Sequence, residues 1–230
     1  MRTEQTVSLL ARTRLFGELD HESLARVGAR AGKRTYRKGQ LIFVQGDLGD
    51  TLYVLVDGLV KVFVTSEDGD EMVLVTLSPP DTLGELALID GGERSASAET
   101  LEPTTLLVLT RADLVELMAD YPAVAVALLR SLGSLVRRLT EQASDLVFLD
   151  LHGRVAKLLL ALAQERGQDR EGSTVLDLHV TQGDLAGMVG GSRQSVNQIL
   201  NAFARRGYLD LHGRKVVIKQ PDALRRRASL

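Results

Sequence analysis

Gly84-Glu85-Leu86-Ala87-Leu88-Ile89-Asp90-Gly91-Gly92-Glu93-Arg94-Ser95-Ala96-Ser97-Ala98 is the stretch on which the reading of this chain turns. It reads as a short loop-and-turn segment that closes over one small anion. Gly84 lets the backbone approach a ligand closely, and the peptide N–H groups after it can line a concave anion site. Glu85 is an acceptor suited to a hydroxyl. Arg94 offers a planar fork of donors that matches phosphate. A β-turn carrying a surface Glu–Arg pair is the plainer alternative. It would suffice for a lone Gly-Glu or Arg-Ser, but not for the whole pattern at this spacing.

Working outward, the segments around this stretch are short, β-rich and punctuated by turns. Leu41-Ile42-Phe43-Val44 ends at Gln45-Gly46-Asp47, Leu52-Tyr53-Val54-Leu55-Val56 at Asp57-Gly58, and Val60-Lys61-Val62-Phe63-Val64 at Glu67-Asp68-Gly69-Asp70. Met72-Val73-Leu74-Val75-Thr76 and Thr105-Leu106-Leu107-Val108 follow. Strands at this rhythm with Asp-Gly turns predict an antiparallel barrel or sandwich. A helix over 21–31, capped by Asp20, precedes them.

A short helix over 111–119 is stopped at Tyr121-Pro122, and a long helix runs from about 123 to 149. Leu128, Leu132, Leu135, Leu139, Leu146 and Leu149 recur at steps of four and three, with Gln142 interrupting, which is enough for a two-stranded seam. Val124, Val136 and Val147 lie off that seam and allow packing against the helix's own domain as well. Asp150 caps a further helix over 151–165 and, lying between two helical runs, is a candidate hinge. A polar loop over 167–172 and a short strand over 175–180 come next.

Thr181-Gln182-Gly183-Asp184 is a capping-box-like helix start, and Leu185, Met188 and Val189 give that helix an apolar face. Gly190-Gly191 makes a turn. Ser192 caps a second helix with Val196, Ile199, Leu200 and Phe203 on one side and Arg193, Gln194, Asn197 and Gln198 on the other. This is helix–turn–helix grammar. The hairpin around His212-Gly213-Arg214-Lys215 reads as a wing with basic residues at its turn. An ordinary three-helix subdomain with a solvated face is the alternative. Base-reading side chains gathered on one exposed face and flanked by arginines weigh against it.

Composition narrows the class. Hydrophobic residues make up 44% and charged residues 25% of 230, an ordinary globular balance with room for two domains. No apolar run reaches the roughly 20 residues that span a bilayer, and Met1-Arg2-Thr3-Glu4-Gln5 lacks a signal-peptide core, so a cytoplasmic address away from the membrane is expected. The absence of cysteine excludes disulfides, thiol sensing and cysteine-held iron–sulfur clusters. His21, His152, His179 and His212 have no metal-ligand spacing, so no metal is expected. The net charge of −2 conceals an asymmetry. Residues 151–230 carry 13 Lys and Arg against 7 Asp and Glu, whereas residues 1–150 carry 15 against 23. A sensor half and a polyanion-binding half are implied.

These motifs in this order, together with Leu146-Val147-Phe148-Leu149-Asp150 followed by Gly153-Arg154, and Ser192-Arg193-Gln194-Ser195-Val196, resemble the cyclic-AMP receptor protein/FNR family of bacterial transcription regulators over about residues 14–220. The resemblance implies an α+β chain: a lead-in over 1–15, a jelly-roll-like antiparallel β-roll over 16–121 that binds a cyclic nucleotide, a dimerisation helix over 122–149, and a winged helix–turn–helix over 150–230. It implies that Gly84, Glu85, Leu86, Ala87, Arg94 and Ser95 hold the nucleotide. Arg94, Ser95 and the Ala87 N–H would meet the cyclic phosphate, and Glu85 the ribose 2′-hydroxyl. By ungapped count, the paired hydroxyl residues that meet adenine fall on Leu139 and Thr140, of which only the second is polar. The family's Arg-Glu-Arg reading trio is Arg193, Gln194 and Gln198 here. Arg193 suits guanine and a glutamine can take adenine. Thr181, Ser192 and Asn197, with Arg214 and Lys215 on the wing, complete the expected DNA surface.

The expected function is a homodimeric regulator, gated by cyclic AMP, that binds a pseudo-palindromic operator in double-stranded DNA and works with RNA polymerase. It needs no cofactor and is not an enzyme. The alternatives are a constitutive regulator whose pocket is degenerate or tuned to cyclic GMP or another effector, a haem sensor on the same fold, and a cyclic-nucleotide-regulated enzyme. The last lacks both residues for a catalytic domain and a nucleophile–base pair.

Overall fold

The computed structural model describes residues 3–170, 173–178 and 180–229. His179, part of the 167–172 loop and the first two residues of the lead-in lie outside them. In chain order the elements are α1 (Thr3–Leu10), α2 (His21–Arg30), β1 (Gly32–Tyr36), β2 (Leu41–Phe43), β3 (Thr51–Asp57), β4 (Val60–Thr65), β5 (Glu71–Leu77), β6 (Thr82–Leu83), α3 (Glu85–Asp90), β7 (Ser97–Thr100), β8 (Thr104–Thr110), α4 (Arg111–Asp120), α5 (Pro122–Phe148), α6 (Leu151–Arg166), β9 (Gln168–Arg170), β10 (Ser173–Asp177), α7 (Gln182–Val189), α8 (Arg193–Arg205), β11 (Leu209–His212), β12 (Lys215–Ile218) and α9 (Pro221–Arg227). The chain divides into two compact units, 1–69 with 74–137 and 70–73 with 138–230.

In the first unit, antiparallel sheets ordered β1-β8-β3-β6 and β2-β7-β4-β5 form the roll. The run Leu52-Tyr53-Val54-Leu55 is apolar throughout because both faces of β3 are covered. Tyr53 and Leu55 join Val60, Leu83, Ala98 and Leu106 in one core. Leu52 and Val54 join Leu107 and Leu109 of β8 against Phe16 of the α1–α2 connection and Val7, Leu10, Leu24, Leu114, Leu117, Val124 and Leu128 from the helices. Asp20 caps α2, accepting from Ser23 N at 2.8 Å.

A buried lysine lies inside this unit. Lys61 of β4 is 6% exposed, opposite Glu99 of β7, with Nζ 3.4 Å from that carboxylate and 4.6 Å from the centre of the Phe63 ring. Removing one partner of a buried pair strands the other charge. Glu99→Ala is therefore expected to cost about 3 kcal/mol, and Lys61→Met much less. Urea unfolding of the two variants checks this, and equal midpoints would contradict it.

The long helix separates two kinds of apolar surface. Val124, Ala127 and Leu128 are buried in the first unit's core. Leu128, expected from its spacing to lie in a dimer seam, is thus occupied by its own domain. Beyond it, Leu129, Val136, Leu139 and Leu146 are exposed, again at steps of seven and three but one position off the expected line at its start.

In the second unit, Val155, Leu159, Leu185, Val196, Ile199, Leu200, Phe203, Leu209, Val216 and Leu224 are buried. Asp150 caps α6 by accepting from Gly153 N at 2.7 Å, and its other oxygen meets Arg227 of α9 at 2.9 Å. Arg154 ties α6 to its surroundings through the carbonyls of Leu149 and Val189, at 2.8 and 2.7 Å.

Candidate functional site

The segment expected to be a loop contains a six-residue helix, α3, held between two glycines in the left-handed region. Gly84 enters it at φ 89°, a conformation few other residues adopt. A Cβ there would stand 2.6 Å from Arg94 Nη1 and 2.8 Å from the Thr51 carbonyl. Helix geometry leaves the first N–H groups of α3, those of Leu86 and Ala87 among them, without intrahelical partners.

Arg94 is the centre of the site. It is 5% exposed. Its backbone is fixed by bonds to the 44–49 loop, Arg94 N donating to Asp47 O at 2.7 Å and Gly46 N to Arg94 O at 2.9 Å. Its guanidinium donates to Gly84 O at 2.9 Å and Thr51 O at 2.8 Å, and lies 4.4 Å from the Phe43 ring centre and 5.9 Å from that of Tyr53. Among the described residues no carboxylate reaches it within ion-pair distance. Burial pulls its pKa below the ordinary guanidinium value, while Tyr53, Asp50, Glu85 and Asp47 push the other way. An arginine stays charged through such shifts. The result is a buried cation bonded to carbonyls and stacked near ring faces, with nearby carboxylates outside ion-pair distance, an arrangement that attracts an anion.

Glu85 is half-buried and engaged with its surroundings, and its Oε2 atom is fully enclosed. Leu86 is half-buried, Ala87 buried and Ser95 exposed. Gly49, Phe43 and Tyr53 are part of this arrangement although sequence reasoning did not single them out. A Cβ at Gly49 would stand 2.4 Å from the Ala87 Cβ and 2.8 Å from Arg94 Nε. The glycine pair at 46 and 49 was the available signal. Leu139 and Thr140 are exposed on α5, in the part of that helix that belongs to the second compact unit.

The second site is built on α7 and α8. Thr181 caps α7 with a complete capping box, its hydroxyl donating to Asp184 at 2.7 Å and accepting from Asp184 N at 3.1 Å. Gly190, at φ 63°, turns the chain, and Ser192 caps α8 by accepting from Ser195 N at 3.1 Å. Val196, Ile199, Leu200 and Phe203 face inward, with Phe203 against Tyr208 and His152. Arg193, Gln194 and Gln198 are exposed and make no side-chain hydrogen bond among the described residues. With Gln182 and Asn197 they line one shallow hollow. The β11–β12 hairpin carries Arg214 and Lys215, both exposed, although Arg214 Nε also donates to Leu178 O at 3.2 Å. Among the described residues no helix is long and apolar enough to cross a membrane, and no His, Cys, Asp and Glu cluster could hold a metal.

A β-roll with an anion-ready arginine, followed in the same chain by a winged helix–turn–helix, is the layout of a ligand-responsive DNA-binding regulator. Comparison with known proteins is specific on this point. A cyclic nucleotide-binding domain model matches residues 33–121, and a Crp-like helix-turn-helix domain model matches residues 153–227. The chain is 36% identical over 220 residues to a CRP-like cAMP-activated global transcriptional regulator of Mycobacterium tuberculosis, covering 96% of this chain and 98% of the relative. It is 36% identical over 192 residues to the cyclic AMP receptor protein of Thermus thermophilus, covering 84% and 86%. Among solved structures, the c-di-GMP responsive global regulator CLP of Xanthomonas campestris superposes with a TM-score of 0.77 at 28% identity, covering 86% and 99%. The chain belongs to the cyclic-AMP receptor protein/FNR family of bacterial transcription regulators. It is a cyclic-nucleotide-responsive DNA-binding regulator, and its domains are those of a transcription factor rather than an enzyme.

Proposed function

We propose that the effector is cyclic AMP, bound in the β-roll of each copy of a cytoplasmic homodimer that recruits RNA polymerase to pseudo-palindromic operators. The observation that carries the effector reading is Arg94, a buried guanidinium with no carboxylate in ion-pair reach among the described residues. The cyclic phosphate supplies the missing charge, with the α3 N–H groups and Ser95 around it. Glu85 takes the ribose hydroxyl, and Leu139 and Thr140 meet the base. Contact with the base shifts α5 and the hinge at Asp150, which sets the spacing of the two recognition helices. A ligand does this only by binding one arrangement more tightly than the other. Arg193, Gln194 and Gln198 read bases, flanked by Thr181 and Ser192, while Arg214 and Lys215 hold phosphates. Calorimetric titration of the purified protein with cyclic AMP, cyclic GMP and cyclic di-GMP tests the assignment. Cyclic AMP is expected to bind most tightly, and no heat with any of the three would contradict it.

A different effector is a second reading with its own support. Leu139 cannot hydrogen-bond adenine, and a structural neighbour of 28% identity is named as responsive to c-di-GMP. Tightest binding by another nucleotide in the same titration selects this reading.

The dimer would form along Leu129, Leu132, Val136, Leu139 and Leu146 of α5, at alternating steps of three and four with one gap at Ala143. Val136 is 62% exposed in the single chain. Val136→Glu would set like charges against each other across the two-fold and is expected to turn a dimer into monomers. Sedimentation at micromolar concentration checks this, and a wild-type monomer would contradict it.

A further inference from the structure

The polar face of α8 is not uniform. Arg193, Gln194 and Gln198 are free to meet a ligand, whereas Asn197 is half-buried and its amide is engaged at both ends. Asn197 Nδ2 donates to Gln182 Oε1 at 2.9 Å, and Gln182 is the first residue of α7. Asn197 Oδ1 accepts from Asn201 Nδ2 at 2.5 Å, which also donates to the Asn197 carbonyl at 2.9 Å. Reading adenine takes both the oxygen and an N–H of an amide on one edge. Those bonds leave the amide one further N–H and one lone pair, yet they fix its orientation, so it cannot swing toward a base edge without giving them up.

We propose that Asn197 is a positioning residue rather than a base reader. With Gln182 and Asn201 it forms an amide relay that fixes the seat of α8 against α7. The crossing of these two helices sets how deeply and at what angle Arg193, Gln194 and Gln198 enter the major groove. The relay is polar and lies at the rim of the hollow, so it acts on the aim of the recognition helix, while the apolar packing of Val196, Leu200 and Phe203 holds the helix in the domain. Base choice then belongs to three side chains. The inference rests on α8 being the recognition helix.

The test is selection from a random duplex library at fixed salt, with affinities of the selected sites measured for each full-length variant. Arg193→Ala is the control for α8 itself and is expected to relax one base-pair position in each half-site. Asn197→Ala is expected to keep the preferred base everywhere and to lower discrimination at several positions together, by roughly two- to tenfold, the span of one neutral hydrogen bond. Gln182→Ala removes the bond to α7 but leaves that between Asn197 and Asn201, so it should lower the same positions by no more than Asn197→Ala does. The double variant should add nothing to Asn197→Ala, which already removes the Gln182 bond. Circular dichroism verifies the fold of each variant. Relaxation of a single position by Asn197→Ala, with that position unaffected in Gln182→Ala, would make Asn197 a reader and overturn the proposal. Additive effects, or unchanged profiles in both variants, would overturn it too. If Arg193→Ala leaves every position intact, the recognition-helix reading fails instead.

Discussion

Arg94→Ala is expected to abolish cyclic-nucleotide binding while leaving the unliganded protein folded. Two charge-assisted hydrogen bonds to phosphate, each worth about 1.5–3 kcal/mol, amount to a loss of more than roughly 100-fold in affinity. The unliganded form should respond differently. Its guanidinium is desolvated and bonded to the carbonyls of Gly84 and Thr51, beside the rings of Phe43 and Tyr53. Deleting a buried charge that has no carboxylate in ion-pair reach among the described residues relieves a desolvation cost, and this relief offsets the removal of those carbonyl and ring interactions. The melting temperature without nucleotide should therefore change little, and the rise that cyclic AMP produces in the wild type should vanish. Arg94→Lys keeps the charge without the fork and should recover only part of the binding. A nucleotide-induced rise that survives in Arg94→Ala would remove this residue from the site.

Arg193→Ala carries the second large effect. A bidentate contact to guanine discriminates by about 1–3 kcal/mol, so one position in each half-site should lose its preference while the rest of the operator is still selected. Loss of Lys215 should act in another way, weakening specific and random DNA alike and reducing the dependence on salt. Gln198→Arg should add selection for a further guanine. Selection from a random library at fixed salt separates these outcomes. An operator preference that survives Arg193→Ala intact would show that α8 is not the reader.

Local chemistry made much of this legible in advance. Asp20, Asp150, Thr181 and Ser192 all cap helices as their side chains suggest, because a cap is settled within three residues. The wing and the main strands followed from alternation and turn residues. What escaped depends on partners far along the chain. β7, Ser97–Thr100, has no apolar rhythm to announce it, and it is a strand because β2 and β4 flank it. Gly49 and Tyr53 converge on Arg94 only after the sheets close. The steps of four and three on α5 point to a seam beginning at Leu128, which the structure buries in its own domain, a packing that spacing alone does not reveal. The Gln182–Asn197 bond joins two helices through rotamers that spacing does not specify.

The central claim is that a nucleotide in the roll changes the affinity of the winged helix–turn–helix for its operator. It is tested most directly by the binding of a fluorescent operator duplex to full-length protein at fixed salt, with and without saturating cyclic AMP, in the wild type and in Arg94→Ala. Couplings of this kind run to about 1–3 kcal/mol, or roughly 5–150-fold, and are reciprocal, so the operator should tighten cyclic AMP binding by the same factor. The expected result is an operator affinity that rises by that order in the wild type alone. An affinity unchanged by cyclic AMP in a protein that demonstrably binds it would contradict the claim.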